Sequence, residues 1–526
     1  MITHTKIILG TLNSTYQHSS FGLRYLYANL GELQKNTQIC EWTIKENPRT
    51  IVERILEQQP LIVGLSLYIW NTVETLEVLM ILKKTAPHII VVIGGPEISY
   101  ETESQPHFQW CDYIIKGEAD IAFRELCRAI LLENSAPKDK VIGPCLPDIQ
   151  KIELPYHLYT DNDLENRVIY VEASRGCPYK CEYCLSSLDK AVRNFETAHF
   201  LNEMKMLLDR GARTFKFVDR TFNLSPTTST AILKFFLEHI ELGLFLHFEL
   251  VPDRLPLEIR ELICQFPAGS LQFEVGIQTL NPIVAKNVSR KNDLTKVAEN
   301  FKYIRENTHV HTHADLIAGL PGETLESFAQ GFDQLLAWGP DEIQVGILKR
   351  LRGTPIARHE QEYKMIYSDI APYQILTTST LNYFELQKMN RFAKFWDLYA
   401  NSGEFKNLLQ WFHQQRETSD NKSFFWLFFE FNEFLSEHFS EIHSISLMNL
   451  AEKAWLFLQK KGVSDELAQQ IIEKDYCFGA KRRDLPVFLK KYREQHHPTL
   501  SAPATTNANA NALLKSKNAR QMKHVE

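Results

Sequence analysis

Two long stretches of this chain alternate short apolar strand patterns with amphipathic helix patterns, and this alternation narrows the fold more than any other feature. In the first, Lys6–Gly10, Leu61–Leu67 and Ile89–Ile93 read as buried strands, with helical periodicity over Gly22–Leu33, Arg49–Gln59 and Thr72–Thr85. In the second, six strand patterns follow one another, at Val168–Ala173, Thr214–Val218, Leu244–Leu250, Leu271–Ile277, His311–Ile317 and Glu342–Ile347, each trailed by a helical pattern. Strands that alternate with helices pair in parallel, because a parallel return needs a crossover long enough to hold a helix. The expected class is therefore α/β: a doubly wound, Rossmann-like sheet first, then an open, partial (β/α)6 barrel. Both architectures collect ligands at the carboxyl ends of their strands.

Just beyond the first strand of the second stretch lies Ser174-Arg-Gly-Cys-Pro-Tyr-Lys-Cys-Glu-Tyr-Cys184, with Cys177, Cys181 and Cys184 spaced C-x3-C-x2-C. Gly176 and Pro178 break regular structure around the first thiol. Three thiolates in one loop suit three corners of an iron–sulfur cubane and leave one iron open for another ligand. Zinc is the rival metal, but a zinc site usually brings a second C-x2-C or a His pair, and the next cysteine is Cys264. The other six cysteines (Cys40, Cys111, Cys127, Cys145, Cys264 and Cys477) are scattered and read as small packing residues in a reducing compartment.

Composition excludes several classes. Of 526 residues, 44% are hydrophobic and 23% charged, as in a globular protein of several domains. No apolar run is long enough to span a bilayer, and the N-terminus lacks the basic head and apolar core of a signal peptide, so a cytoplasmic location is expected. The net charge of −6 gives no global attraction to nucleic acid. Beyond Pro498 the chain is rich in Ser, Ala, Thr and Asn, and 499–526 is expected to be a disordered tail.

The cysteine run resembles the cluster motif of the radical S-adenosylmethionine (SAM) superfamily, with Tyr183 at the family's aromatic position. The resemblance implies a 4Fe–4S cluster on Cys177, Cys181 and Cys184, with SAM chelating the open iron. Later segments resemble the family's SAM-contacting motifs. These are Phe217-Val-Asp-Arg-Thr-Phe-Asn223, with Asp219, and the strand His247-Phe-Glu-Leu-Val251, with Glu249. Phe273-Glu-Val-Gly-Ile-Gln-Thr279 supplies Glu274, Gln278 and Thr279, and Asp315-Leu-Ile-Ala-Gly-Leu-Pro-Gly-Glu-Thr324 supplies Gly319 and Pro321. His311 and His313 lie on one strand face but lack a third ligand at readable spacing, so packing is the expected role.

The first stretch resembles the cobalamin-binding domain that precedes the barrel in one class of these enzymes. The carriers are Asn13 and Ser14 after the first strand, Gly64-Leu-Ser-Leu-Tyr-Ile-Trp-Asn71, Val92-Ile-Gly-Gly-Pro-Glu97 and Asp112-Tyr-Ile-Ile-Lys-Gly-Glu118. They imply a cobalamin site from Asn13, Ser14, Ser66, Leu67, Trp70, Asn71, Gly94, Gly95, Pro96, Glu97, Gly117 and Glu118. The Asp-x-His-x-x-Gly pattern of the histidine-ligating version is broken, since Tyr16 and Phe21 flank His18 where Asp and Gly belong, so His-off cobalamin is expected. The implied domains are 1–135 (cobalamin-binding-like), 136–167 (linker), 168–360 (radical SAM barrel) and 361–498 (helical, aromatic-rich). The last resembles the uncharacterised C-terminal domain of a cobalamin-dependent subgroup.

The implied activity is cobalamin-dependent radical C-methylation, fed by an electron donor such as flavodoxin or ferredoxin; a small-molecule or peptide substrate, a lipid-like precursor and a tRNA base all stay open, the last without a basic RNA-binding appendage to favour it. Radical rearrangement or cyclisation without methyl transfer, and a non-catalytic cobalamin or cluster sensor, stay open as alternatives.

Overall fold

The computed structural model describes residues 5–418, 423–442, 444–477 and 484–496. The region expected to be a disordered tail lies outside them.

The first layer is a six-stranded parallel sheet, made of β1 (Ile7–Asn13), β2 (Thr37–Thr43), β3 (Ile62–Ser66), β4 (Ile90–Gly94), β5 (Tyr113–Gly117) and β6 (Val141–Cys145). Its order is β2-β1-β3-β4-β5-β6, so the chain reverses direction across the sheet between β1 and β3. That switch point opens a crevice at the strands' carboxyl ends. β1 is buried at every position, whereas β2 is half-exposed along most of its length. Helices Phe21–Ala28, Pro48–Glu57, Thr72–Thr85 and Asp120–Leu131 cover the faces. Helix Pro48–Glu57 starts cleanly because Pro48 needs no N–H partner and the Asn47 side chain accepts from Arg49 N–H at 2.9 Å.

Three strands of the first sheet fall outside the sequence reading: β5, where only Tyr113-Ile-Ile115 is apolar, and β2 and β6. β2 pairs with β1 over seven residues, yet its polar, half-exposed edge hides the apolar signal. β6 falls inside the segment expected to be a linker, where Gly143-Pro144 looks like a turn, and pairs in parallel with β5.

The second sheet is the open barrel, made of β7 (Ile169–Val171), β10 (Thr214–Phe217), β11 (Phe245–Leu250), β12 (Leu271–Gln278), β13 (His311–Ala318) and β14 (Glu342–Ile347). The strands are parallel, in the order β14-β13-β12-β11-β10-β7. Between β7 and β10 a small hairpin of β8 (Ser174–Arg175) and β9 (Arg193–Asn194) brackets the cysteine loop. Alternation on β12 and β13 turns Phe273, Val275, Ala314 and Leu316 outward to a helical shell and leaves Glu274, Gly276, His313 and Asp315 inside.

A buried charge network pins the two sheets together. Arg24 donates to Asp163 at 2.9 Å, and Arg167 donates to Glu41 at 2.7 Å and to Asp163 at 3.0 Å. Breaking one partner of such a network costs about 3–5 kcal/mol, because the other charges stay buried. The C-terminal helices pack on the last barrel strand. Helix Phe424–His438 buries Phe424, Phe425, Phe428, Phe429, Phe431 and Phe434, as its apolar pattern predicts, and joins one core with the barrel. No helix among the described residues is long and apolar enough to cross a membrane.

Candidate active site

The cysteine loop forms a wall between two cavities. Gly176 turns the chain into it at φ +94°, and a Cβ there would lie 2.2 Å from the Ala191 carbonyl oxygen, so no other residue fits. Cys177 N–H donates to the Asp189 carbonyl at 2.9 Å, while Ser187 Oγ donates to the carbonyls of Cys181 and Cys184 at 2.9 and 2.7 Å. Glu182, buried between the second and third cysteines, accepts from His359 at 2.9 Å, Arg358 at 2.6 Å and Ser289 at 2.5 Å. The loop is thus fixed from both sides of the barrel. No sequence pattern marks Glu182, since its partners lie more than a hundred residues away.

The barrel cavity, about 230 Å³, has Cys177, Cys181 and Cys184 on one side and the interior face of the strands on the other. Arg290 reaches between them, with Nη1 3.5 Å from Cys181 Sγ and Nη2 donating to the Gly276 carbonyl. Its cation would offset the charge of thiolates bound to a cluster. Arg220 holds Glu249 at 2.9 Å, so this carboxylate has the arginine partner that a charged residue on an apolar strand calls for. Glu274 accepts from His247 at 2.9 Å, with Lys216 Nζ 3.8 Å away. Burial pushes its carboxyl up, but the His247 hydrogen bond and the Lys216 charge outweigh that and hold it down at about 2.

Asp315 behaves oppositely. Burial first, then the Glu274 and Glu249 charges, raise its carboxyl well above the carboxylate range. Its Oδ1 and the Arg290 Nε are buried without a hydrogen-bond partner, although both residues line the cavity. Such orphaned groups at a cavity wall are what a bound polar ligand satisfies. Asp315 and Arg290 were not singled out from the sequence. Asp315 opens a motif chosen for its glycine and proline, and Arg290 lies in a loop without pattern.

The donor set fits a cluster. Among the described residues no three His, Cys, Asp or Glu side chains converge on a single ion. A cubane does not ask for that, since each thiolate takes a separate iron. His311 is buried against Glu342 at 3.1 Å, a packing and hydrogen-bonding role.

Tyr183, Glu249, Glu274 and Gln278 line this cavity; Asp219, Thr279, Gly319 and Pro321 are not among its lining residues. Asp219 turns under the cysteine strand and accepts from Ala173 N–H at 3.0 Å and Ser174 Oγ at 2.6 Å. Thr279 donates to Glu323 at 2.5 Å. Gly319 takes φ +93° with Ile375 where a Cβ would stand, and the Pro321 carbonyl accepts from Asn287 at 2.9 Å. These four shape the strand ends and meet no open space in this cavity.

The second cavity, about 400 Å³, lies at the β1/β3 switch point of the first sheet. Ser66, Gly94, Gly95, Pro96, Gly117 and Glu118 line it, joined by Phe21, Tyr25, Tyr68, Tyr100 and Asp120, which the sequence did not flag. Gly95, at φ +110°, passes so close to β3's end that a Cβ would come within 2.5 Å of the Leu67 carbonyl oxygen. The remaining predicted residues build the loops. Asn71 is buried, accepting from Tyr68 N–H and donating to the carbonyls of Leu12 and Ser66. Asn13 donates to Glu41, Leu67 is core, and Ser14 and Trp70 are not among the lining residues. Trp70 instead stacks on Tyr68 at 4.3 Å. Glu97 is spent on Tyr373 at 2.6 Å and Arg352 at 2.8 Å, a tie to the segment after the barrel. His18 bonds Tyr170 Oη at 2.6 Å.

Glu172, Arg175 and Leu185, which flank the cysteines, also line this second cavity. Arg175 pairs with Glu118 and Asp120 at 2.9 Å and with Glu172 at 2.8 Å, and Arg193 also pairs with Glu118. One loop therefore faces both spaces.

Comparison with known proteins agrees with this geometry. A family model for the B12 binding domain matches residues 7–127, and one for the Radical SAM superfamily matches 171–335. A third, described as a protein of unknown function (DUF4080), matches 361–526. The cobalamin-dependent radical SAM methyltransferase TokK of Streptomyces tokunonensis is 26% identical over 332 residues, covering 55% of this chain and 47% of its own length. The anaerobic magnesium-protoporphyrin IX monomethyl ester cyclase of Cereibacter sphaeroides is 23% identical, covering 62% of this chain and 57% of its own length. The chain spans about half the length of the curated relatives it matches. In fold it resembles the structure of OxsB, a cobalamin-dependent SAM radical enzyme solved with aqua-cobalamin and SAM bound. That likeness has a TM-score of 0.61 at 12% identity and covers 98% of this chain and 83% of that one.

Proposed function

From a chain that joins a B12-binding domain to a radical SAM domain and a DUF4080 segment, we propose an enzyme that cleaves SAM to a radical and uses it for cobalamin-dependent C-methylation. The observation that carries this reading is the shared wall: Glu172, Arg175 and Leu185, which flank the three cysteines, also line the glycine-rich cavity of the B12-binding domain. Cys177, Cys181 and Cys184 would hold the 4Fe–4S cluster. Arg290, Gln278, Asp315 and Glu274 would bind the charged and hydroxylated parts of SAM, with Tyr183 beside them. Ser66, Gly94, Gly95, Pro96, Gly117 and Glu118 would hold part of the cobalamin, with no histidine on the cobalt. When bound, these groups supply an electron to split SAM and a transferable methyl group.

The chain's own task is placement. Arg290 would balance the charge of cluster-bound thiolates, and the Glu182 tie keeps the cluster loop from shifting. A cytoplasmic setting with a flavodoxin- or ferredoxin-like electron donor suits this chemistry.

Anaerobic incubation of the cluster- and cobalamin-loaded chain with methyl-labelled SAM tests the reading. Formation of 5′-deoxyadenosine, with label passing to cobalamin and then to a component of a desalted cell extract, is expected. 5′-Deoxyadenosine with no label on cobalamin or product would overturn methyl transfer. That outcome would favour rearrangement or cyclisation, the reading to which the cyclase similarity points.

A further inference from the structure

The open edge of the barrel carries hydrogen-bonding groups that no part of the described chain uses. At one end of β14's outer edge, Ile343 N–H donates to Asn401 Oδ1 at 3.0 Å, and Asn401 Nδ2 donates back to the Ile343 carbonyl at 2.9 Å. At the other end Lys349 bridges Gln374 in antiparallel register, and Ile375 N–H donates to the Leu348 carbonyl at 2.9 Å. Leu348 N–H points inward to the Ala318 carbonyl, so strand alternation turns the polar groups of Val345 and Ile347 outward, like those of Ile343. Among the described residues neither Val345 nor Ile347 has a hydrogen-bond partner on that side. Both residues are buried, at 7% and 8% exposure.

This bare edge faces a cavity of about 450 Å³, closed on the far side by Asn390 and Ala393 of helix Tyr383–Trp396 and by Gln374. Gly346 presents no side chain there. The cavity shares Tyr183, Gln278 and Asp315 with the cluster cavity, so the two adjoin across these side chains. Between the Asn401 clamp and the Gln374 bridge, the free edge has room for an extended segment of about three residues at roughly 3.3 Å each.

We propose that the substrate is a peptide, held as a short strand added to the outer edge of β14 with its modified residue beside the Tyr183, Gln278 and Asp315 side chains that also line the cluster cavity. The proposal rests on the radical-enzyme reading above. Its chemistry is that of edge recognition, in which main-chain hydrogen bonds supply affinity and side-chain pockets supply specificity. The side-chain amides of Gln344, Gln374 and Asn390 add donor–acceptor pairs that match peptide groups. An acyl lipid would leave all of them, and the strand edge, unsatisfied.

Fluorescence anisotropy of dye-labelled, end-blocked tetrapeptide pools with the full chain tests this. Saturable binding is expected. Val345→Pro should weaken it at least tenfold, because proline removes one outward N–H and spares the ladder to β13. Val345→Ile should leave it unchanged. If the proline variant fails to fold, backbone N-methylated pools make the same test from the ligand side and should bind at least tenfold more weakly. Absence of saturable binding by every pool, or equal affinity for N-methylated pools, overturns the proposal. 5′-Deoxyadenosine formation by the loaded chain is measured in parallel. Its presence without peptide binding removes only the peptide, and its absence removes the enzyme reading.

Discussion

The two parallel sheets of this protein put their cavities in the same place, at the carboxyl ends of the strands, and line them in opposite ways. The first sheet clears space with glycines and rings: Gly22, Gly64, Gly94, Gly95 and Gly117 border its cavity together with Phe21, Tyr25 and Tyr68. The barrel fills its interior with ionisable groups, from the charged Arg220, Glu249, Glu274 and Arg290 to Asp315, whose carboxyl is pushed toward its neutral form. Backbone stripped of side chains admits a large ligand by shape, whereas converging charges select a small, highly polar one. Arg175 stands where the two designs meet, tying Glu118 and Asp120 of the first sheet to Glu172 beside the cysteines.

The contrast breaks most visibly at the cysteines. Replacing Cys177, Cys181 or Cys184 by alanine should abolish the cluster's visible absorbance and all 5′-deoxyadenosine formation, while cobalamin binding survives. Iron content and the cobalamin spectrum, measured on one sample, check both halves. Loss of cobalamin as well would mean that the loop supports both sites and that the two designs are one.

Gly95→Ala is the reciprocal variant. Its Cβ would press to 2.5 Å on the Leu67 carbonyl oxygen at a φ of +110°, so the loop must move at a cost of about 1–3 kcal/mol. Cobalamin retention should fall while iron content stays at the parent level, with denaturant midpoints reporting the stability term. Unchanged cobalamin binding would show that this cavity is not where the cofactor sits.

How much of this could be read beforehand follows the same division. The barrel strands and the cysteine loop were legible because buried parallel strands are runs of Val, Ile, Leu and Phe, and the thiols have fixed spacing. β2, β5 and β6 were not, since β2 is a polar edge, β5 has only Tyr113-Ile-Ile115 before Lys116-Gly117, and β6 runs into Gly143-Pro144. Lining residues were harder than elements. A motif marks a strand end, but the side chain that reaches the cavity depends on twist and on loops far away. Asp315 faces the cavity while Gly319, four residues on, packs against Ile375. Arg290 and Glu182 act through tertiary contacts that leave no local trace.

Asp219 sharpens the comparison on the smallest scale, because it is a barrel carboxylate that meets no cavity. It is 3% exposed and holds the strand leading to the cysteines through Ala173 N–H and Ser174 Oγ. Burial raises its carboxyl to about 7, against the partial relief of those two hydrogen bonds. In the unfolded chain it titrates near the ordinary value of 3.8. Between these values the native state binds the extra proton, so stability is highest on the acid side and falls as pH rises through the window, by roughly 4 kcal/mol at most. Asp219→Asn keeps one acceptor oxygen and removes the titration. Urea denaturation from about pH 5 to about pH 8 should therefore show a slope in the parent that flattens in the variant, with the two converging toward the acid end. Parallel slopes would mean that the carboxylate is already charged and satisfied in place, and that the charged design extends beneath the cysteine strand as well as into the cavity.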